Sequence, residues 1–407
     1  MAAAVADLGP SLRQRAVLAT IIVSALFAFY LPSSVGGAIS RPLSIVSIGG
    51  MCALFVLMAV AAGRTGPALN MVASLSIFLL LALFTITSPF DQYSPGVVML
   101  YFAVVVLFAL DLRGLTSRGV DFTFQCITIA SLIVGYAVAA NISAVDRILA
   151  QWYAAFYPEL VPNMLSLNKP VLSFATHSTA GFMVYLLFYL QLHAWSHTRR
   201  WWNLAAAVAV AGLLVALSST TSQAFFVVAA AQLTLSVLAR VPARLTLMAV
   251  IGMLIVAVAA LVALQVDVAA LGQRAREAIV GDKIRGLASR YASNGLLANN
   301  FAYLMESPFT PIGFGASDTL YLGDSGVIVN LLRGSVPLLV TVYLSFWLFL
   351  RTNIVDRRAA LVVWLSTLAF DVGFTPMMYF RFVAFVPFMV VYLNSVSAME
   401  PERLSRT

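Results

Sequence analysis

Apolar runs of about 18 or more residues, each long enough to cross a ~30 Å hydrocarbon layer, recur along nearly the whole of this chain. A water-soluble chain of 407 residues has no core large enough to hide so many of them. Composition agrees, with 61% hydrophobic and only 10% charged residues, against roughly 25% charged in soluble domains. The expected fold class is all-α, a polytopic transmembrane bundle forming one membrane domain over residues 1–407. Candidate spans fall at roughly 16–31, 43–62, 68–88, 96–110, 120–142, 175–195, 201–218, 222–239, 244–266, 326–350, 359–374 and 377–397. That is about twelve, the last two forming a hairpin through Thr375-Pro376. No convincing internal repeat is present.

The net charge of +8 does not imply nucleic acid, because there is no basic cluster with interleaved aromatics. Lys and Arg stand singly or in pairs at the ends of apolar runs, which is how topology is set. With both termini in the cytoplasm, that side receives Arg13, Arg15, Arg64, Arg113, Arg118, Arg199, Arg200, Arg240, Arg244, Arg351, Arg357, Arg358, Arg403 and Arg406. The stretch from Met1 to Arg15 has no small-residue cleavage site after a short apolar run, so the first span reads as a retained helix. Cys52 and Cys126 lie inside apolar segments and show no metal-ligand spacing.

Two long connections land on the extracytoplasmic side. The first, residues 143–174, holds Asp146, Arg147, Glu159 and Lys169 among prolines and aromatics. The second, residues 267–325, balances Arg274, Arg276, Lys283, Arg285 and Arg290 against six carboxylates. Its 268–305 portion reads as helical, and Pro308, Pro311 and the Gly313-Phe314-Gly315 turn then stop it. Long loops in compact proteins are usually functional or disordered. This one is patterned and charge-balanced, so a partly helical extracytoplasmic subdomain is expected, and it is the candidate catalytic segment.

Several residues carry both a chemical and a plain reading. On a helix, Lys283, Arg290 and Asn294 share one face, beside an apolar stripe of Ile284, Leu287 and Tyr291. Such a face presents two cations to an anion, and the arginine fork suits diphosphate; equally, it is the solvated side of an interfacial helix. Asp324, in Gly323-Asp324-Ser325-Gly326, is a general base for a sugar hydroxyl or part of an ordinary helix cap. His177 opens the sixth span as a helix-end residue or a catalyst. Arg333 lies two turns into the tenth span, where an intramembrane charge reads as functional, as snorkelling or as one half of an ion pair. Asp371 and Arg381 flank the Thr375-Pro376 turn and read as a structural ion pair. His193 and His197, at the cytoplasmic end of the sixth span, are too few for a zinc site. No nucleotide-binding motif, phosphate loop or nucleophile elbow is present.

Three features resemble the bacterial O-antigen polymerase and O-antigen ligase superfamily of membrane glycosyltransferases. They are Arg290 upstream of the Pro308–Gly315 turn in a large late loop, Asp324-Ser325-Gly326 leading into a span with Gly334, and Pro170-Val171-Leu172-Ser173-Phe174-Ala175-Thr176-His177 opening an earlier span. Members often carry Ser-Arg where this chain has its Ser- and Thr-rich Leu217–Gln223 stretch, and that Arg is absent here. Ligases usually place His where this chain has Asp324, so Asp-Ser-Gly resembles the polymerases. The resemblance implies metal-independent glycosyl transfer without a cofactor at the outer face of the bacterial inner membrane. Donor and acceptor would be undecaprenyl-diphosphate-linked glycans, with a chain-length regulator and a flippase as candidate partners. Arg290 would hold diphosphate, assisted by Lys283, Arg333 or Lys169, while Asp324 or His177 handles the acceptor hydroxyl. The alternatives are a ligase moving finished glycan to a lipid or protein, and a multi-span transporter or lipid flippase.

Overall fold

A computed structural model describes residues 12–31, 41–62, 66–153, 160–174, 176–217, 219–238, 295, 297–307, 310–317, 319–320, 322, 325–373 and 375–399. They are overwhelmingly helical, and no strand occurs among them. The helices are α1 (Leu12–Tyr30), α2 (Arg41–Ala62), α3 (Ala68–Ile86), α4 (Pro95–Phe108), α5 (Arg118–Ala139), α6 (Ser143–Tyr153), α7 (Leu160–Ser166), α8 (His177–Thr198), α9 (Trp201–Ala216), α10 (Thr220–Leu238), α11 (Ala298–Glu306), α12 (Gly326–Asn353), α13 (Arg357–Asp371) and α14 (Phe380–Ala398). A 3-10 turn, Pro376–Met378, precedes the last. Five helices among the described residues, α3, α5, α12, α14 and Arg13–Tyr30 of α1, are long and apolar enough to cross a membrane. Three more apolar helices are shorter. The expected span at 244–266 lies outside the described residues.

Local chemistry sets the helix ends. Side chains of Ser117, Thr176, Ser325 and Asp356 each accept a backbone N–H in the first turn of the helix that follows, satisfying a donor that has no intrahelical partner. Pro95 starts α4, where its missing N–H costs nothing. Arg199 closes α8 in the left-handed region, at φ 56°.

The helices are sided for lipid. On α3, the polar Asn70 and Ser74 join Ile77 and Leu81 on the buried face, while Val72, Leu75, Leu79, Leu83 and Ile86 are exposed. Both sets follow three- and four-residue steps, but the apolar stripe points outward. That inversion is stable against hydrocarbon and unfavourable against water. At the centre lies α14, packed on α1, α5 and α8. Edge-on ring pairs such as Phe27–Phe380 and Phe29–Phe385 hold it to α1.

Side-chain amide and hydroxyl oxygens tie the connections at one end of the bundle. Leu112 N donates to Asn353 Oδ1 (2.6 Å), Val355 N to Asn394 Oδ1 (3.0 Å) and Ser117 N to Ser395 Oγ (2.9 Å). Among the described residues, Arg13, Arg15, Arg113, Arg118, Arg199, Arg200, Arg351, Arg357 and Arg358 belong to this basic end. The opposite, loop end holds Arg41, Arg147, Lys169, Arg333 and Arg381. The first long connection there contains two short helices, α6 and α7.

Candidate functional site

The Gly313-Phe314-Gly315 turn is driven into the loop end of the bundle. Phe314 packs against Phe78 and Tyr101, at centroid distances of 5.2 and 6.4 Å. Those rings lie about 10 Å inside the ends of α3 and α4, at 1.5 Å per helical residue. The turn is sewn in by its backbone: Phe314 N donates to Thr85 Oγ1 (2.8 Å), Ser94 N to Phe314 O (3.1 Å) and Ala316 N to Gln92 O (2.8 Å). Gly313 has φ +55°, and a Cβ there would overlap the backbone and hydroxyl of Thr85. This is the physical reason for glycine in the turn.

Beneath it, α12 is broken. Gly334 and Ser335 leave helical geometry, with Ser335 at φ 55°. The break frees carbonyls, and the turn takes them: Ile312 N donates to Leu332 O (2.8 Å) and Gly313 N to Arg333 O (3.0 Å). Arg333 sits at the break, only 1% exposed, so it does not snorkel. Its Nη1 donates to Gly313 O (2.7 Å) and Gly315 O (3.3 Å). No carboxylate among the described residues lies within 4.0 Å of it, and its Nε has no hydrogen-bond partner among them. A fully buried guanidinium whose partners among the described residues are neutral carbonyls is an attractive position for an anion.

Against the first turn of α12, Asp371 is fully buried. The Tyr343 hydroxyl donates to its Oδ2, and Ser325 Oγ donates to its main-chain oxygen (3.3 Å). Its carboxylate rests on the Cα of Gly326, where any Cβ would overlap it. The cap of α12 is the side chain of Ser325, which accepts from Ile328 N (3.4 Å).

The expected Asp371–Arg381 ion pair does not form, because the two side chains leave the hairpin in different directions. Arg381, also fully buried, turns toward α1 and the segment before α8. It donates to Ser173 Oγ (2.8 Å) and to Leu31 O, and its guanidinium carbon lies 5.0 Å from the Phe174 ring centre. Ser173, Phe29, Leu172, Val134 and Tyr153 line a mostly apolar niche between α1, α5 and α6. Arg381 therefore stands directly behind the polar edge of a greasy cleft.

Of the residues singled out from sequence, His177 is the first residue of α8, half-buried, and Lys169 is half-buried in the turn after α7. The Leu217–Gln223 stretch has a packing role: Ser219 Oγ and Ser222 Oγ bond each other (2.8 Å), and Ser222 lies against Gly181, bringing α8 and α10 close. Arg290, Lys283 and Asp324 lie outside the described residues. Sequence reasoning passed over Tyr343 and Asn330, which accepts from the Tyr101 hydroxyl (3.0 Å), and gave Ser173 no contact role; their partners stand 28, 229 and 208 positions away. Comparison with protein-family models, with curated proteins and with solved structures finds no match to this chain.

Proposed function

We propose that this chain is a glycosyltransferase of the bacterial cytoplasmic membrane, polymerising undecaprenyl-diphosphate-linked oligosaccharide units at the extracytoplasmic face. The basic end would face the cytoplasm, with both termini there, as the distribution of arginine favours. The observation that carries the reading is Arg333: a buried cation with no carboxylate within 4.0 Å among the described residues, at a helix break, in the segment whose motifs resemble the polymerases.

In the reaction, an acceptor hydroxyl attacks the anomeric carbon of the lipid-linked donor. The bond from that carbon to the diphosphate oxygen breaks, the diphosphate leaves with the electron pair, and the hydroxyl proton passes to a base. Departing diphosphate concentrates negative charge, which preplaced cations stabilise more as the bond breaks. Arg290 with Lys283 would bind it, with Arg333 and Lys169 assisting. Asp324 is the proposed base, a role left open to it because Ser325 supplies the helix cap; His177 would orient the hydroxyl. The niche in front of Arg381 would seat the first isoprene units.

A second reading has one specific observation behind it. A discontinuous helix beside a buried charge is also how transporters build substrate sites, which would make this chain an exporter or flippase of anionic lipid-linked glycan. One experiment separates these. The gene is deleted in its host, and envelope and secreted polysaccharide are resolved on a gel. The deletion is complemented with wild type, Arg290→Ala and Asp324→Ala, each checked for membrane expression. Loss of long polymer with single repeats accumulating outside, restored by wild type alone, supports polymerisation. Long lipid-linked polymer that never reaches its final acceptor indicates a ligase. Single repeats confined to the cytoplasmic leaflet indicate transport, and unchanged glycans in every strain refute the glycosyltransferase reading.

A further inference from the structure

We propose that His193, His197 and Asp356 form a divalent transition-metal site, zinc by its ligand set, that clamps the end of α8 to the start of α13. The two histidines stand four residues apart and so share a helix face, with ring centres 4.4 Å apart. The third member comes from far along the chain and turns an insufficient pair into a ligand set. Asp356 caps α13 through Oδ1, which accepts from Arg358 N (2.8 Å). Its other oxygen, Oδ2, is aimed at the histidines, 3.9 Å from His193 Nδ1 and 3.7 Å from His197 Nε2.

Those separations are too long for hydrogen bonds, which close at about 2.7–3.2 Å. They approach what a shared ion needs: donors at metal bonds of about 2.0–2.2 Å in a tetrahedron stand roughly 3.4 Å apart. All three donor atoms lie within 4.8 Å of one another. His193 is 7% exposed, and its Nε2 has no hydrogen-bond partner among the described residues. Two imidazoles and one carboxylate make a common zinc set, with the fourth position left to water. Four arginines lie near in sequence: Arg199 lies over the Trp195 ring (5.8 Å) and Arg200 approaches Asp121 (4.0 Å), while Arg357 and Arg358 directly follow Asp356. Their charge still opposes a dication, so the affinity falls short of that of closed structural zinc sites. The metal would stitch two connections at the basic end, independently of the chemistry proposed at the loop end.

The test uses the full chain, purified in detergent through a tag without histidine, stripped with chelator and titrated with Co2+. The wild type is expected to bind one Co2+ per chain with the visible absorption of a tetrahedral site, and Zn2+ to displace it. Asp356→Asn keeps an oxygen that can cap α13 but loses the anionic ligand. His197→Gln alters the more exposed ring. Each is expected to weaken binding at least about tenfold, a loss that even outer-shell partners of a metal site produce. Absence of the absorption band in wild type at millimolar Co2+ overturns the proposal. So does stoichiometric binding that neither substitution changes, since the metal would then sit elsewhere.

Discussion

The wedged turn makes Gly313→Ala the most discriminating substitution in the molecule. Alanine at φ +55° meets the left-handed penalty of about 1–2 kcal/mol. Its Cβ also overlaps the Thr85 backbone, 2.7 Å from Cα, as well as the hydroxyl that Phe314 N needs. Overpacking of this kind costs about 1–3 kcal/mol. The sum is a loss of about 2–5 kcal/mol, with Phe314 withdrawn from Phe78 and Tyr101. Two other glycines separate the contributions. Gly114 has φ +69° with no atom within 4 Å of an added Cβ, so Gly114→Ala reports backbone strain alone. Gly373 has neither positive φ nor a near neighbour, so Gly373→Ala should be close to neutral. Reversible unfolding of the three variants in mixed micelles, followed by tryptophan fluorescence, gives the ranking. If Gly313→Ala costs no more than Gly114→Ala, the turn is not seated against Thr85, and the account of the site built on it fails.

Tyr343→Phe removes only the hydroxyl that donates to buried Asp371 and should lower stability by about 1–3 kcal/mol; an unchanged unfolding midpoint would show that this bond contributes nothing. Gln191, fully buried, joins α8 to α5 through Gln125 Oε1 (2.8 Å) and Thr128 Oγ1 (3.2 Å). Gln191→Leu is therefore expected to cost about 1 kcal/mol, the scale of polar contacts between helices in lipid, read by the same unfolding assay. In a chain lacking Cys52 and Cys126, a membrane-impermeant thiol reagent applied to intact cells should label Ser166→Cys, and Arg357→Cys only after permeabilisation. The reverse pattern would invert the topology and remove the loop end from the outer face.

The all-helical, apolar character of the chain was legible in the sequence. In a bilayer every backbone N–H and C=O must be satisfied within the chain, so long apolar runs become helices whatever their neighbours. The runs expected near 68–88 and 201–218 are α3 and α9 to within two residues, and the arginine pairs between runs collect at one end. Composition could also nominate glycines and intramembrane charges, since both are costly in such segments. What it could not assign was their partners. Asp371 and Arg381 are near neighbours in sequence and opposite in charge, yet Asp371 bonds to Tyr343 of α12 and Arg381 to Ser173 and Leu31, because direction of departure from a hairpin depends on packing. The break in α12 at Gly334-Ser335 depends on a turn about twenty residues upstream arriving to take the freed carbonyls. His193 and His197 look insufficient until the α12–α13 connection brings Asp356 beside them. Apolarity along the chain is a local property and was determined by sequence alone. Which buried polar groups meet is set by the three-dimensional packing of helices far apart in the chain, and only the tertiary structure decided it.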